Sequence, residues 1–207
     1  IVELVGGTGV AHEIIRSALE AGRHVISANK ALLALRGDEL FALARRNSVA
    51  LKFEGAVCGG IPIIKIVQEG LAGNRISKIM GIVNGTSNFI LTQMKEQGLP
   101  FEQALKAAQE KGFAEADPTL DVSGEDAAHK LALLARIFTH SYVPVDRIFT
   151  EGIQRISRED MAFAEDLRYR IKLLAIAKLS EEGAWDLRVH PAMIARDSIL
   201  AQVQEEY

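Results

Sequence analysis

Residues 1–30, IVELVGGTGVAHEIIRSALEAGRHVISANK, decide the fold class of this chain. The segment opens on a short apolar run that glycines end, which is typical of a buried strand. An amphipathic helix is predicted next, with Ile15 and Leu19 on its apolar face and Gly22 as its stop signal. HVISANK predicts a second strand. This order indicates two parallel strands that a right-handed crossover joins.

The same alternation continues as far as residue 58. ALLALRGDELFALARRNS, residues 31–48, predicts a second helix, and a break at Gly37 is left open. VALKFEGAV, residues 49–57, predicts a third strand. We therefore predict an α/β fold with a doubly wound, Rossmann-type parallel sheet. Three strands are about half of such a domain, so residues 1–58 are expected to form its C-terminal half.

The pattern changes after Gly59 and Gly60, and residues 59–207 are predicted to form an α+β domain. RISKIMGIVNG and AWDLRVHPAMI predict strands. TSNFILTQMKEQG predicts a helix with Thr86 or Ser87 as its N-cap. Residues 159–183 predict either a helix followed by a strand or one broken helix. No repeats or low-complexity tracts are found.

The composition is that of an ordinary globular protein. The chain has 207 residues, of which 25% are charged, and a formal net charge of −3. This charge predicts neither nucleic acid nor a membrane surface as a partner. A single cysteine, Cys58, excludes an intrachain disulfide and fits a reducing compartment, so a cytoplasmic location is predicted. No apolar run approaches the roughly 20 residues of a membrane span.

Candidate binding residues follow the predicted strands. Thr8 lies in the turn after the first strand, where GGTGVAH matches a dinucleotide loop only weakly. Lys30 ends the second strand, at the sheet edge where α/β proteins bind ligands. Asn84 opens a strand-to-helix turn, for which a structural role is favoured.

The glycine-rich segment FEGAVCGGIPI leaves three interpretations open. Cys58 is either a nucleophile that a helix N-terminus activates or a small buried thiol. Alternatively, carbonyl oxygens of the turn bind a hard monovalent cation. The sequence does not choose among them.

The densest cluster of charge is GFAEADPTLDVSGEDAAHKLALLARIF, residues 112–138. Ser123 and Asp126 resemble a capping box, which accounts for acids in a first helical turn. It does not account for Lys130, which falls on the apolar stripe of the helix and needs a partner there. Asp126 precedes it by four residues, the spacing at which an acid and a base meet. Such a lysine is a candidate proton carrier, and Glu115 and Asp121 are candidates to bind a cationic group.

At this stretch the sequence resembles homoserine dehydrogenases. GFAEADPTLDVSGEDAAHK resembles that family's signature over its whole length, and ANKALLA, FEGAVCGGIPII and GIVNGTSNFIL are similar to further family motifs in family order. The resemblance covers essentially the whole chain. It implies reversible oxidation of L-homoserine to L-aspartate 4-semialdehyde with NAD or NADP. A homodimer is also predicted, because an exposed strand edge favours association.

The resemblance also implies roles for individual residues. Lys130 matches the lysine that transfers the proton, and Lys30 matches a lysine near the nicotinamide and the substrate. The matching acids, which hold homoserine or orient the lysine, are Glu115, Asp121 and Asp126. Thr8 and Gly112 match positions that contact the cofactor in the family. The family's backbone-carbonyl site for Na⁺ or K⁺ is matched by Glu54, Val57, Gly59 and Ile61. The resemblance therefore gives Cys58 no catalytic role.

The family's dinucleotide fingerprint is expected before Ile1, so we interpret the chain as a catalytic-core fragment that lacks it. Two alternatives are kept. One is a semialdehyde dehydrogenase that uses Cys58 as its nucleophile. The other is a dimerisation module that has no activity of its own.

Overall fold

The structure is a computed structural model that describes residues 1–204. The chain forms two compact units. Among the described residues, the first contains 1–77 and 129–147, and the second contains 78–128 and 148–204. The predicted α/β class is confirmed: the first unit carries a parallel three-stranded sheet and the second a mixed four-stranded sheet.

The first unit is built from alternating strands and helices. Its elements are β1 (Val2–Glu3), α1 (Val10–Glu20), β2 (Val25–Ser27), α2 (Lys30–Arg46), β3 (Leu51–Lys52) and α3 (Ile63–Lys65). A 3₁₀ turn covers Glu54–Ala56, and α3 continues into a π-helical turn over Ile66–Gly70. The strands lie in the order β1-β2-β3 and are all parallel.

Helix α2 runs without a break through Gly37, which answers the question that the sequence left open. A Cβ at Gly37 would lie 3.1 Å from the ring of Phe41, so the glycine permits this close approach. The core of the unit lies between the helices and the sheet, where Ile15, Leu32 and Leu40 are almost completely buried.

The second unit begins with helices and ends with long strands. Its elements are β4 (Lys78–Gly81), α4 (Gly85–Gln97), α5 (Phe101–Glu110), α6 (Thr119–Val122), β5 (Phe149–Thr150), α8 (Arg158–Asp166), β6 (Tyr169–Leu179), β7 (Trp185–Ala195) and α9 (Ile199–Gln202). Helix α7 (Glu125–Thr139) contributes its first turn to this unit and its remainder to the first unit.

The sheet of the second unit has the order β4-β6-β7-β5. Strands β6 and β7 pair antiparallel from Tyr169 opposite Ala195 to Leu179 opposite Trp185. The ambiguity over residues 159–183 is resolved as a helix followed by a strand. Arg168 separates α8 from β6 with a left-handed φ of 62°, a conformation that ends regular structure.

One local prediction needs correction. The N-cap of α4 is Asn84, not Thr86 or Ser87, because the Asn84 side chain accepts the N–H of Ser87 and so meets a free donor of the first turn. The capping box of Ser123 and Asp126 stays a prediction; the hydroxyl of Ser123 accepts the N–H of Glu125, and the carboxylate of Asp126 accepts a hydrogen bond from Asn84.

No helix in residues 1–204 is long and apolar enough to cross a membrane.

Candidate active site

The carboxyl ends of β1 and β2 form one candidate site in the first unit. The turn after β1 places Gly6 and Gly7 at positive φ, with open space where a Cβ would stand. Thr8 is exposed in the same turn. A cavity of about 270 Å³ adjoins the turn and is lined by Glu3, Leu4, Gly6, Ala28, Asn29, Lys30 and Ala31. The parallel strands therefore bring a glycine turn and Lys30 to one edge, as a ligand-binding α/β edge requires.

Lys30 is the first residue of helix α2 and is half-buried. The side chain of Asn29 caps this helix by accepting the N–H of Leu32 at 3.1 Å. Its amide group also donates to the carbonyl of Gly7 at 2.7 Å. The turn that carries Lys30 is thus bonded directly to the glycine turn after β1.

The glycine-rich turn after β3 has left-handed backbone conformations at Cys58 and Gly59, both with φ of 57°. The Glu54 carboxylate accepts the N–H groups of Ile64 and Lys65 at 2.8 and 3.0 Å, so it caps the start of α3. Within residues 1–204, no group of three or more His, Cys, Asp or Glu side chains is placed to hold a metal ion. A cation at this turn would need backbone carbonyl oxygens as its ligands.

Burial raises the pKa of the Cys58 thiol, and the positive charge of Lys130 opposes that shift. A raised pKa keeps the thiol protonated at neutral pH, which is the opposite of what a cysteine nucleophile needs. The electrostatic interaction also shows that Lys130 lies near the glycine-rich turn.

In the second unit, Asn84 holds two of the predicted acids together. Its Nδ2 donates to Asp121 at 2.7 Å and to Asp126 at 2.9 Å. The hydroxyl of Ser87 donates to the backbone carbonyl of Asp121 at 2.9 Å, so the acid is also fixed through its main chain. Asp126 is 6% exposed, and this burial makes its hydrogen bonds structurally important.

Lys130 is half-buried on helix α7, as the helical pattern predicts. It follows Asp126 by one turn on the same helix, a rise of about 6 Å along the axis. His129 is buried, at 7% exposure.

The other two predicted residues of this unit are exposed. Gly112 takes a φ of 80° in the turn that ends α5. Glu115 follows in the loop before α6, and its backbone carbonyl accepts a hydrogen bond from Gln109. The side chain of Glu115 is therefore open to a ligand. Asp121 is half-buried and Asp126 is buried, and both accept a hydrogen bond from Asn84.

Two family profiles match the chain. Residues 62–207 match homoserine dehydrogenase, and residues 1–54 match the NAD-binding domain of homoserine dehydrogenase. The chain belongs to the homoserine dehydrogenase family.

The relatives agree with this assignment along the whole chain. The homoserine dehydrogenase of Pseudomonas aeruginosa is 50% identical over 203 residues, which are 98% of this chain and 46% of the relative. That of Neisseria gonorrhoeae is 48% identical over the same share of this chain. The chain spans about half the length of the curated relatives it matches.

Solved structures show the same fold. The crystal structure of a homoserine dehydrogenase from Thiobacillus denitrificans superposes with a TM-score of 0.96 at 49% identity, over 99% of this chain and 47% of that one. A hyperthermophilic archaeal homoserine dehydrogenase, solved in complex with NADPH, superposes with a TM-score of 0.82 at 30% identity, over 96% of this chain and 57% of that one.

Sequence reasoning gave two polar residues too small a role. Asn84 was assigned to a turn, although an amide is one of the few side chains that can donate to two carboxylates and accept a backbone N–H at once. For Glu3, the local sequence pattern predicts only a place in a strand. A charged residue inside an apolar strand was the signal that could have identified it.

Proposed function

We propose that the protein containing this chain interconverts L-homoserine and L-aspartate 4-semialdehyde. The cluster of Asn84, Asp121 and Asp126, one helical turn before Lys130, is the observation that carries the proposal. Family membership supplies the substrate class. Residues 1–58 would serve the cofactor, and residues 59–207 would serve the substrate and self-association.

Carboxylates are suited to bind the ammonium group of homoserine. Exposed Glu115 and half-buried Asp121 take this role, since ion pairs with an ammonium gain strength where water is partly excluded. Asp126 has a different role because it is buried, whereas Asp121 is only half-buried. It orients Lys130, which follows it on the same helical face.

Lys130 is the proton carrier. In the oxidation, its neutral amine accepts the hydroxyl proton of homoserine as the C4 hydrogen leaves as hydride. In the reduction, its ammonium returns that proton to the oxygen of the semialdehyde. General acid–base catalysis of this kind contributes about 10²- to 10⁴-fold to a rate.

The cofactor proposed is NAD or NADP, which supplies hydride acceptance in one direction and hydride donation in the other. The edge formed by β1 and β2 fits it, because the glycine turn leaves open space and Lys30 lines the adjoining cavity. Thr8 and Lys30 would contact the cofactor from this edge. Gly112, in the turn after α5, is proposed separately as a cofactor-contacting position. The NADPH complex of the archaeal relative supports this class of cofactor.

A monovalent cation, Na⁺ or K⁺, is proposed at the glycine-rich turn. Its ligands would be the carbonyl oxygens of Glu54, Val57, Gly59 and Ile61. The left-handed residues at 58 and 59 redirect successive carbonyls there, and oxygen ligands suit a hard cation. In a buffer whose only cation is a bulky organic one, activity should be low, and adding Na⁺ or K⁺ should restore it.

Self-association as a homodimer is proposed for the second unit. Its outer strands β4 and β5 each pair with one neighbour within the described sheet, and large apolar side chains are exposed on them and on β7. Met80 is 39%, Phe149 60% and Met193 48% exposed. Such a surface is a candidate interface. Phe149→Asp should lower the molar mass measured by light scattering if this surface forms the dimer.

The proposed chemistry is tested by Lys130→Ala in the full-length enzyme. We expect kcat to fall about 10²- to 10⁴-fold while the Kd for NADPH changes little. Lys106→Ala is the matched control, since Lys106 is an exposed lysine on helix α5 with a side chain 76% accessible. A variant that retains near-normal kcat would remove Lys130 from the mechanism.

A further inference from the structure

Glu3 is a buried acid that the proposed chemistry does not use. It is the last residue of β1 and is only 1% exposed. A carboxylate in that position is strongly disfavoured unless donors surround it. Here it accepts three hydrogen bonds, from the N–H groups of Val5 and Gly6 at 2.8 and 3.1 Å and from the Ser27 hydroxyl at 2.6 Å.

The two bonds to backbone N–H groups fix the turn after β1. They bind one carboxylate oxygen to the first residues beyond the strand, at the start of the glycine turn that holds Gly6, Gly7 and Thr8. Glycine turns have little intrinsic preference for a single conformation. The carboxylate therefore supplies the order that the glycines do not.

The third bond continues into the neighbouring strand. Glu3 is paired with Ser27 in the parallel register of β1 and β2. The oxygen of Ser27 also accepts the backbone N–H of Asn29 at 3.1 Å, and Asn29 caps the helix that begins at Lys30. One chain of hydrogen bonds thus runs from Glu3 through Ser27 to the turn that carries Lys30.

The chain of bonds closes on itself. The side-chain amide of Asn29 donates to the carbonyl of Gly7. Gly7 lies in the same turn whose first N–H groups are bound by the Glu3 carboxylate. Glu3, Asn29 and Lys30 all line the same cavity of about 270 Å³. Hydrogen-bonded networks in partly buried positions hold their members more rigidly than single bonds do.

We infer that Glu3 is a positioning residue for the cofactor. Through Ser27 and Asn29 it sets the glycine turn and Lys30 in one geometry before a nicotinamide cofactor binds. The inference rests on the proposed function, because it assumes that the cofactor binds at this edge. A ready-formed site avoids the entropy of ordering two turns on binding.

The test measures NADPH binding by the full-length enzyme, with nicotinamide fluorescence as the signal. Glu3→Gln keeps the shape and the acceptor for the backbone N–H groups, but it replaces the charged oxygen that accepts the Ser27 hydroxyl by an NH2 group, which cannot accept it. Ser27→Ala removes the same bond and also the bond from the Asn29 N–H to the Ser27 oxygen. We expect each variant to raise the Kd for NADPH about tenfold, with much smaller changes in kcat at saturating cofactor and in the KM for homoserine.

Two features separate positioning from a general loss of stability. The double variant should raise Kd little more than Ser27→Ala alone, since Ser27→Ala already removes the bond that Glu3→Gln disrupts. Leu40→Val is the destabilised control, because Leu40 is buried in α2 almost three turns beyond Lys30. It should lower the melting temperature and leave the Kd unchanged.

The binding experiment separates a failure of the role inferred for Glu3 from a failure of the proposed function. If the wild-type enzyme binds NADPH and both variants match it within about twofold, the positioning role of Glu3 is wrong and the proposed function stands. If the wild-type enzyme binds neither NADPH nor NADH, both are wrong; if it binds only NADH, the same comparison of variants is made with NADH. If Glu3→Gln does not fold, Ser27→Ala alone decides the inference.

Discussion

Asn84 donates a 2.9 Å hydrogen bond to Asp126, a residue 42 positions further along the chain. The same amide nitrogen lies 2.7 Å from Asp121, so one side chain holds two carboxylates of the candidate site. Like charges this close repel each other unless donors stand between them. Asn84 provides those donors, and its own carbonyl oxygen caps helix α4.

Asn84→Asp should therefore damage the site more than its small change in size implies. The variant keeps an oxygen to cap α4 but replaces the two donated hydrogen bonds by a third carboxylate. We expect the free energy of unfolding to fall by about 1–3 kcal/mol and kcat to fall with it. Urea unfolding and steady-state kinetics measure the two effects.

Asn74→Asp is the matched control for that variant, since Asn74 is exposed and the substitution adds the same charge. Equal stability of the two variants would show that Asn84 does not hold the acids together.

Cys58→Ser should leave the enzyme active within about twofold. Burial raises the pKa of Cys58, and a protonated thiol is a poor nucleophile. Iodoacetamide should accordingly react slowly at pH 7 and faster as the pH rises above the ordinary cysteine range. An inactive Cys58→Ser enzyme, together with substrate protection against iodoacetamide, would favour the semialdehyde dehydrogenase alternative.

Gly152→Ala should destabilise the second unit and disturb the acid cluster. An added Cβ would overlap the carbonyl oxygen of Val122 and the Cα of Ser123, both of them backbone atoms that cannot rotate away. These residues lie between Asp121 and Asp126. We expect a loss of about 3 kcal/mol, measured by urea unfolding, together with a lower kcat.

Gly73→Ala serves as the control for backbone flexibility, because a Cβ there meets nothing within 4 Å. If both glycine variants lose the same stability, the close approach at Gly152 is not the cause.

Lys172 should make stability depend on pH in the alkaline range. Burial lowers its pKa from 10.5 to about 8, and the nearby charge of Lys95 acts in the same direction. The unfolded chain keeps the ordinary lysine value, so it binds more protons than the folded protein between pH 8 and pH 10.5. Stability rises with pH wherever the unfolded state binds more protons. The penalty for burying Lys172 is thus complete below pH 8 and disappears across this window.

The measurement compares wild type with Lys172→Met by urea unfolding from pH 7 to pH 10. We expect the wild type to gain free energy of unfolding relative to the variant as the pH rises. Lys178→Met is the control, since Lys178 is exposed on the same strand β6. A wild-type curve that stays parallel to that of Lys172→Met would contradict the expectation.

Much of the fold follows from local pattern. The alternation of apolar runs, amphipathic segments and glycines predicted the parallel sheet of residues 1–58, because strands and helices bury their apolar faces at different periods. Lys130 was found in the same way, since a charged residue on an apolar stripe stands out on a helical wheel. The division of the chain at residues 58 and 59 and the roles of the site residues stay predictions.

The pairing of distant polar groups did not follow from the sequence. Nothing in the sequence next to Asn84 indicates that its partners are Asp121 and Asp126, which follow it by 37 and 42 positions. The register that sets Glu3 beside Ser27 likewise exists only once β1 and β2 have paired. These contacts depend on how whole elements pack, and a short segment carries no information about that.

The sequence by itself determined the fold class, the family and the residue types that carry the proposed chemistry. Only the tertiary structure decided which of the acids are held by the protein and which remain open to a ligand. The physical reason is that a buried carboxylate must find donors wherever the fold provides them. Asp126 accepts a hydrogen bond from Asn84, the N-cap of α4. Glu3 accepts hydrogen bonds from β2 and from its own turn, and Glu115 remains exposed.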